Sequence, residues 1–210
     1  NTLLAGRIHQ FGNIFHFLGI ISMHNSPMIL DPDVMMNAFE VDRIKETEEI
    51  LLSTTTFLTA VLNKYPSNWV DGICGQLSID ARGKKNIKAK LIAETLISKM
   101  PDIIKSLSPN SIKVLRIILE NNGCINYGKL KEFDDDISFF WVENPPKSTI
   151  GILRVSGLVV IGKTVINGRK YKTALIPADI RESVAQVLKY STLDASFKNL
   201  RKSEDLSCYQ

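Results

Sequence analysis

The sequence predicts a mainly α-helical protein with one small β-hairpin towards its C-terminal end. Three observations predict this class. Apolar residues recur at helical spacing along most of the 210 residues. Residues that begin and end helices separate these stretches. Asn167-Gly168, a dipeptide typical of tight hairpin turns, lies between two runs rich in β-branched residues.

The composition is that of an ordinary globular protein. Hydrophobic residues make up 44% and charged residues 23%, and the net charge is +4, which permits nucleic-acid binding without demanding it. Cys74, Cys124 and Cys208 show neither metal-ligand nor disulfide spacing. We therefore expect no cofactor, no metal ion and a reducing, cytoplasmic location.

The first predicted helix covers residues 3–22. Leu4, Ile8, Phe11, Phe15 and Leu18 form a heptad seam. A helix this apolar either pairs two copies into a homodimer or packs inside one subunit. Its purely apolar part is too short to span a bilayer, so we expect no membrane association.

Further helices are expected through the rest of a helical domain covering residues 1–107. One runs from about 34 to 64 with a break near Val41-Asp42. A second covers 67–77 with Ser67 as its cap, and a third covers 85–100 and ends at Pro101. A polar tail is expected at residues 191–210.

A second domain is expected at residues 108–190. Ser108-Pro109 begins a helix that ends at Asn122-Gly123. A short extended piece follows at 124–125, then a short helix at 126–133. Ser148 caps a third helix at 149–156, whose Ile150, Leu153 and Val155 should face the core. Strands at 158–166 and 170–176 flank the Asn-Gly turn, and a last helix covers 178–190.

This order of elements resembles the winged helix-turn-helix superfamily. The resemblance implies a C-terminal winged helix with a β-hairpin wing. With the helical N-terminal domain, the whole chain is then expected to be mainly α with one small β-hairpin wing. It also implies binding to double-stranded DNA, as a transcriptional regulator or chromatin-associated factor, nucleoid-associated in a prokaryote. The third helix would enter the major groove and the wing would hold phosphates. The residues expected to contact DNA are Lys147, Ser148, Thr149 and Arg154 near the third helix, and Lys163, Arg169, Lys170 and Lys172 on the wing.

A second basic cluster lies where the 85–100 helix begins. It contains Arg82, Lys84, Lys85, Lys88 and Lys90. Residues 66–100 resemble a SAP-type helix-loop-helix, a small DNA-binding module, which implies phosphate binding by this cluster. A solvated helix face is the alternative.

The connection from Asp134 to Pro146 departs from the superfamily, which has a tight turn there. Its acids would repel DNA unless the loop points away, and Asp134 to Asp136 either hold a hard cation or are solvated. Its aromatic residues, Phe139 to Trp141, either stack on bases or fill a core. The rival function is a non-enzymatic protein-interaction module of a replication, repair or transcription complex. We expect no enzyme, because the chain has no catalytic motif.

Overall fold

The computed structural model describes residues 31–80 and 82–189. They form a mainly helical fold with one three-stranded antiparallel sheet, which confirms the predicted class. The helices are α1 Pro32–Glu48, α2 Leu58–Leu62, α3 Ser67–Gln76, α4 Lys85–Ser106, α5 Pro109–Glu120, α6 Thr149–Val155 and α7, residues 178–189. The strands are β1 Cys124–Asn126, β2 Val160–Ile166 and β3 Arg169–Leu175. The predicted helix at 3–22, its homodimer and the polar tail lie outside the described residues.

The chain divides into two compact units, residues 1–43 and 44–210. In the first unit the described residues, 31–43, begin α1, and the Asp31 side chain accepts a hydrogen bond from the Asp33 amide at 2.9 Å. Helix α1 runs unbroken through Val41-Asp42 and ends at Glu48. The predicted helix at 34–64 was therefore wrong in its break and its end, because an extended segment precedes α2.

Several helix ends follow the local sequence. The Ser108 hydroxyl accepts a hydrogen bond from the Ser111 amide at 3.1 Å, with Pro109 as the first residue of α5. At the other end, Gly123 has a φ of 77°, and its amide reaches the Ile118 carbonyl at 2.9 Å. These are the expected serine cap and left-handed glycine stop.

Other helix ends differ from the prediction. Pro101 lies inside α4, where it removes one backbone hydrogen bond of the helix. Met100 and Ile104 on either side of it are buried in the core, and their packing stabilises the continuous helix. Ser67 is the first residue of α3 rather than its cap, and it makes no capping bond. The helix expected at 126–133 is only a 3-10 turn, Tyr127–Leu130.

The sheet has the strand order β1-β3-β2. Asn167 and Gly168, with φ values of 50° and 75°, join β2 to β3. Both angles are positive, as the predicted tight hairpin turn requires. The outer edge of β2 is partly covered, because Lys163 exchanges backbone hydrogen bonds of 2.9 and 2.8 Å with Ile50 and Leu52.

Residues before and after position 107 share one core. The Leu58 amide donates to the Asp179 carboxylate at 2.9 Å, and the Trp69 indole donates to the Phe139 carbonyl at 2.8 Å. A Cβ on Gly157 would lie 3.3 Å from Leu96, so α4 packs closely on the turn after α6. This shared core places α2, α3 and α4 around the region predicted to bind DNA.

Candidate nucleic-acid interface

Helix α6, the predicted groove-reading helix, has no exposed residue. Ile150, Leu153 and Val155 face the core, as predicted. Gly151 and Arg154 are buried as well, and Thr149 and Ile152 are half-buried. A helix that reads the major groove must present a free face to the base edges. Helix α6 offers only the half-buried Thr149 and Ile152 for such a contact.

Ser148 caps the N-terminus of α6, and Asp136 from the preceding loop binds this cap. Its carboxylate accepts hydrogen bonds from the Lys147 amide at 2.9 Å, the Ser148 amide at 3.2 Å and the Ser148 hydroxyl at 2.5 Å. The same hydroxyl accepts from the Gly151 amide at 3.1 Å. Burial alone would raise the pKa of Asp136, but the bonds from Ser148 and Lys147 lower it below its usual value. The Asp136 carboxylate thus places a negative charge just before the first turn of α6, which disfavours a phosphate there.

Arg154 was expected to contact DNA, but its side chain is not exposed. The side chain is buried, and its Nη1 atom donates to Glu48 at 3.0 Å and to Asp135 at 2.6 Å. Asp135 also accepts a hydrogen bond from the Tyr127 hydroxyl at 3.0 Å. Burial lowers the pKa of the guanidinium, and the negative groups around it, Asp135 first, raise it above its ordinary value. Arg154 therefore serves its own protein and cannot reach DNA in this arrangement.

Two of the wing lysines are also engaged at the base of the hairpin. Lys163 and Lys172 lie directly opposite each other in the β2–β3 register, where like charges repel. Lys172 binds the Glu48 carboxylate at 2.5 Å and lies 4.3 Å above the Tyr127 ring, and Lys163 binds Glu49 at 3.4 Å. The two glutamates offset the repulsion and connect the hairpin to the end of α1.

Arg169 and Lys170 differ from that pair. Both are exposed at the hairpin tip, and within residues 31–80 and 82–189 neither has an ion-pair partner. Val165, Ile166 and Tyr171 beside them are also exposed, at 51%, 52% and 37%. The hairpin tip, residues 165–171, is therefore both cationic and apolar.

The basic cluster at the start of α4 is partly neutralised. Three members are bound: Arg82 to Asp80 at 2.9 Å, Lys85 to the Tyr65 carbonyl at 3.0 Å, and Lys88 to Asp71 at 2.6 Å. Lys84 and Lys90 are exposed, and their side chains make no hydrogen bond or ion pair to another described residue. Within the described residues, carboxylates therefore pair with two of the five cations, Arg82 and Lys88.

The loop between Asp134 and Pro146 is part of the core rather than a separate platform. Phe139 and Trp141 are buried, which confirms the core alternative for these two aromatic residues. Asp136 binds the Ser148 cap of α6, and Asp135 pairs with Arg154. The described residues contain no cluster of His, Cys, Asp and Glu able to hold a metal ion.

Sequence reasoning missed the network that joins Arg154 to Glu48, Asp135 and Tyr127. Arg154 and Glu48 lie 106 positions apart and Arg154 and Asp135 lie 19 apart. A buried arginine next to acids has no local sequence signal, because its partners come from other elements. The acidic loop was the one available hint.

Comparisons with models of known protein families, with curated proteins and with solved structures found no match in any of the three. Among the described residues, no helix has the length and apolarity needed to cross a membrane.

Proposed function

We propose that this chain is a non-enzymatic protein-interaction module built on a winged-helix domain at residues 108–189. The observation that carries this proposal is the state of α6, which has no exposed residue and whose Ser148 cap is bound by the Asp136 carboxylate. A third helix this buried disfavours groove binding and makes the exposed hairpin tip the better candidate for contacting a partner.

The winged-helix assignment is part of the proposal. It is supported by the order α5, β1, a 3-10 turn, α6, β2 and β3, and by the antiparallel strand order β1-β3-β2. The type of hairpin turn and the two serine caps agree with it.

The hairpin tip supports a protein partner over a purely phosphate one. Ile166 and Tyr171 are exposed beside Arg169. Aromatic residues and arginine are enriched at protein interfaces, whereas lysine is depleted there. Contacts to phosphates need cations and gain nothing from exposed isoleucine or valine.

Binding to a random 20-base-pair DNA duplex tests this function, measured by fluorescence anisotropy at 50 and 200 mM salt. For an interaction module we expect no saturation below about 100 µM at the higher salt, the weak end of non-specific binding. The Arg169→Gln/Lys170→Gln variant should behave like the unaltered protein. A dissociation constant below about 1 µM at 200 mM salt would overturn the proposal.

Duplex DNA binding through surface cations is the second candidate function, with transcriptional regulation as its context. The free cations Arg169, Lys170, Lys84 and Lys90 favour it. Four phosphate contacts give a salt slope of about −3.6, so affinity should fall about 150-fold between 50 and 200 mM salt. Replacing Arg169 and Lys170 with glutamine should reduce that slope by about 2. An unchanged slope in the variant would exclude the hairpin as the DNA contact.

A further inference from the structure

Strand β3 has an open backbone edge towards the hairpin tip. The backbone N–H and C=O of Lys163 point to Ile50 and Leu52, away from β3. In an antiparallel pair, opposite residues either exchange both hydrogen bonds or neither. Lys172, opposite Lys163, therefore also turns its backbone groups away from β2, and Lys170 does the same two residues further along.

Strand β1 does not cover that edge. It pairs only with Thr173 to Leu175, and the Tyr127–Leu130 turn that follows contacts β3 without a backbone hydrogen bond to Lys172. Within the part of the chain that the structure describes, the backbone groups of Lys170 and Lys172 have no backbone partner. We call residues 169–172 the open edge.

The charge around the open edge selects what can pair with it. Lysines on an edge strand discourage pairing with a second copy of the same strand. The carboxylates at the hairpin base, Glu48 and Glu49, are bound to Lys172 and Lys163, so no acid among residues 31–80 and 82–189 pairs with Arg169 or Lys170. The complement of this edge is an extended segment that carries negative charge.

The side chains around the open edge add an apolar requirement. Val165 lies opposite Lys170 on one face of the hairpin, and Ile166 lies opposite Arg169 on the other, next to Tyr171. Strand side chains alternate between faces. A bound strand with alternating acidic and apolar residues would therefore place its acids beside Lys170 on one face and its apolar residues beside Tyr171 on the other.

We propose that the open edge binds an extended acidic segment of a partner protein, which adds a strand beside β3. Its backbone pairs with Lys170 and Lys172, its carboxylates meet Lys170 on one face, and its apolar side chains meet Tyr171 on the other. This inference rests on the proposed interaction function and names the chemistry of the partner. Strand addition of this kind draws affinity from the backbone and specificity from the alternate side chains.

Hydrogen exchange in the full chain provides a test with residue resolution. The probe is a ten-residue, end-capped peptide of alternating Glu and Val, and the control peptide alternates Lys and Val. In the free protein, the Lys170 and Lys172 amides should exchange rapidly, whereas the Tyr171 amide, paired with Thr164, should be protected. Saturating Glu-Val peptide should slow exchange at Lys170 and Lys172 and leave Tyr171 unchanged.

Matched variants separate the open edge from general charge attraction. Arg169→Gln/Lys170→Gln should weaken Glu-Val binding about tenfold. Lys84→Gln/Lys90→Gln, which removes two exposed cations from α4, should leave it unchanged. Equal loss in the two variants would overturn the proposal, and so would equal binding of the Lys-Val peptide.

The remaining outcomes distinguish this inference from the function it rests on. If neither the Glu-Val peptide nor the DNA duplex binds, the strand-addition proposal fails and the interaction function stands. If the duplex binds below about 1 µM and protects the same amides, both fail in favour of DNA. Protection of Lys170 and Lys172 by phosphatidylserine vesicles without peptide binding would also overturn the inference and assign the hairpin tip to a lipid surface.

Discussion

Replacing Arg154 with methionine tests the energetic role of the buried network. The substitution keeps most of the side-chain volume but removes the cation that bridges Glu48 and Asp135. Breaking a buried ion pair from one side costs about 3–5 kcal/mol, because the remaining charge stays buried and uncompensated. Glu48 keeps Lys172 at 2.5 Å, so most of the loss falls on Asp135. We therefore expect Arg154→Met to lower the free energy of unfolding by about 3 kcal/mol, the lower end of that range.

Urea unfolding followed by circular dichroism gives the measurement. With a slope of about 2 kcal/mol per molar urea, a loss of 3 kcal/mol lowers the midpoint by about 1.5 M. Adding Asp135→Asn to Arg154→Met removes the uncompensated buried carboxylate and should restore part of the lost free energy of unfolding. Arg116→Met, at an exposed position of α5, is the control and should change stability by less than about 0.5 kcal/mol. If Arg154→Met stays within that limit, the network contributes no net stability and the reasoning is refuted.

Three further predictions concern stability. The lowered pKa of Asp136 contributes stability that is present above its unfolded pKa and lost as pH falls through its folded pKa. Asp136→Asn should therefore reduce the fall in the free energy of unfolding below about pH 4. An unchanged pH dependence in the variant would contradict a stabilising role of the Asp136 hydrogen bonds. Gly162→Ala places a Cβ 2.5 Å from the Ile50 carbonyl and should cost about 1–3 kcal/mol in thermal unfolding, whereas no loss would show that this edge pairing is dispensable. Ser108→Ala removes the hydroxyl that caps the Ser111 amide and should cost about 1 kcal/mol, restored largely by Ser108→Asp.

The features that the sequence predicted well are those decided by adjacent residues. Asn167-Gly168 forms its turn because both positions need a positive φ, and Ser108-Pro109 begins a helix because the cap and the missing proline amide act locally. The inward positions of Ile150 and Leu153 also followed from their helical spacing of three residues.

The predictions that were wrong concern features that depend on residues far away in sequence. Pro101 ends a helix in isolation, but the buried residues Met100 and Ile104 retain it in α4. Arg154 has the sequence context of a DNA-reading arginine, and only the fold brings Glu48 to it from α1. Whether a helical residue faces solvent or a neighbouring element is a tertiary property, so the exposure of α6 could not be derived from its own seven residues.

The magnitudes favour the proposed partner contact at the hairpin over reading DNA with α6. To present Arg154 to a groove, α6 would have to release it from its buried carboxylates, at about 3–5 kcal/mol. A bidentate arginine–guanine contact returns about 1–3 kcal/mol. One such contact therefore does not offset the opening of the network. Binding at the open edge requires no such opening, because Lys170 and Arg169 already face solvent while Glu48 holds Lys172 and Arg154 in place.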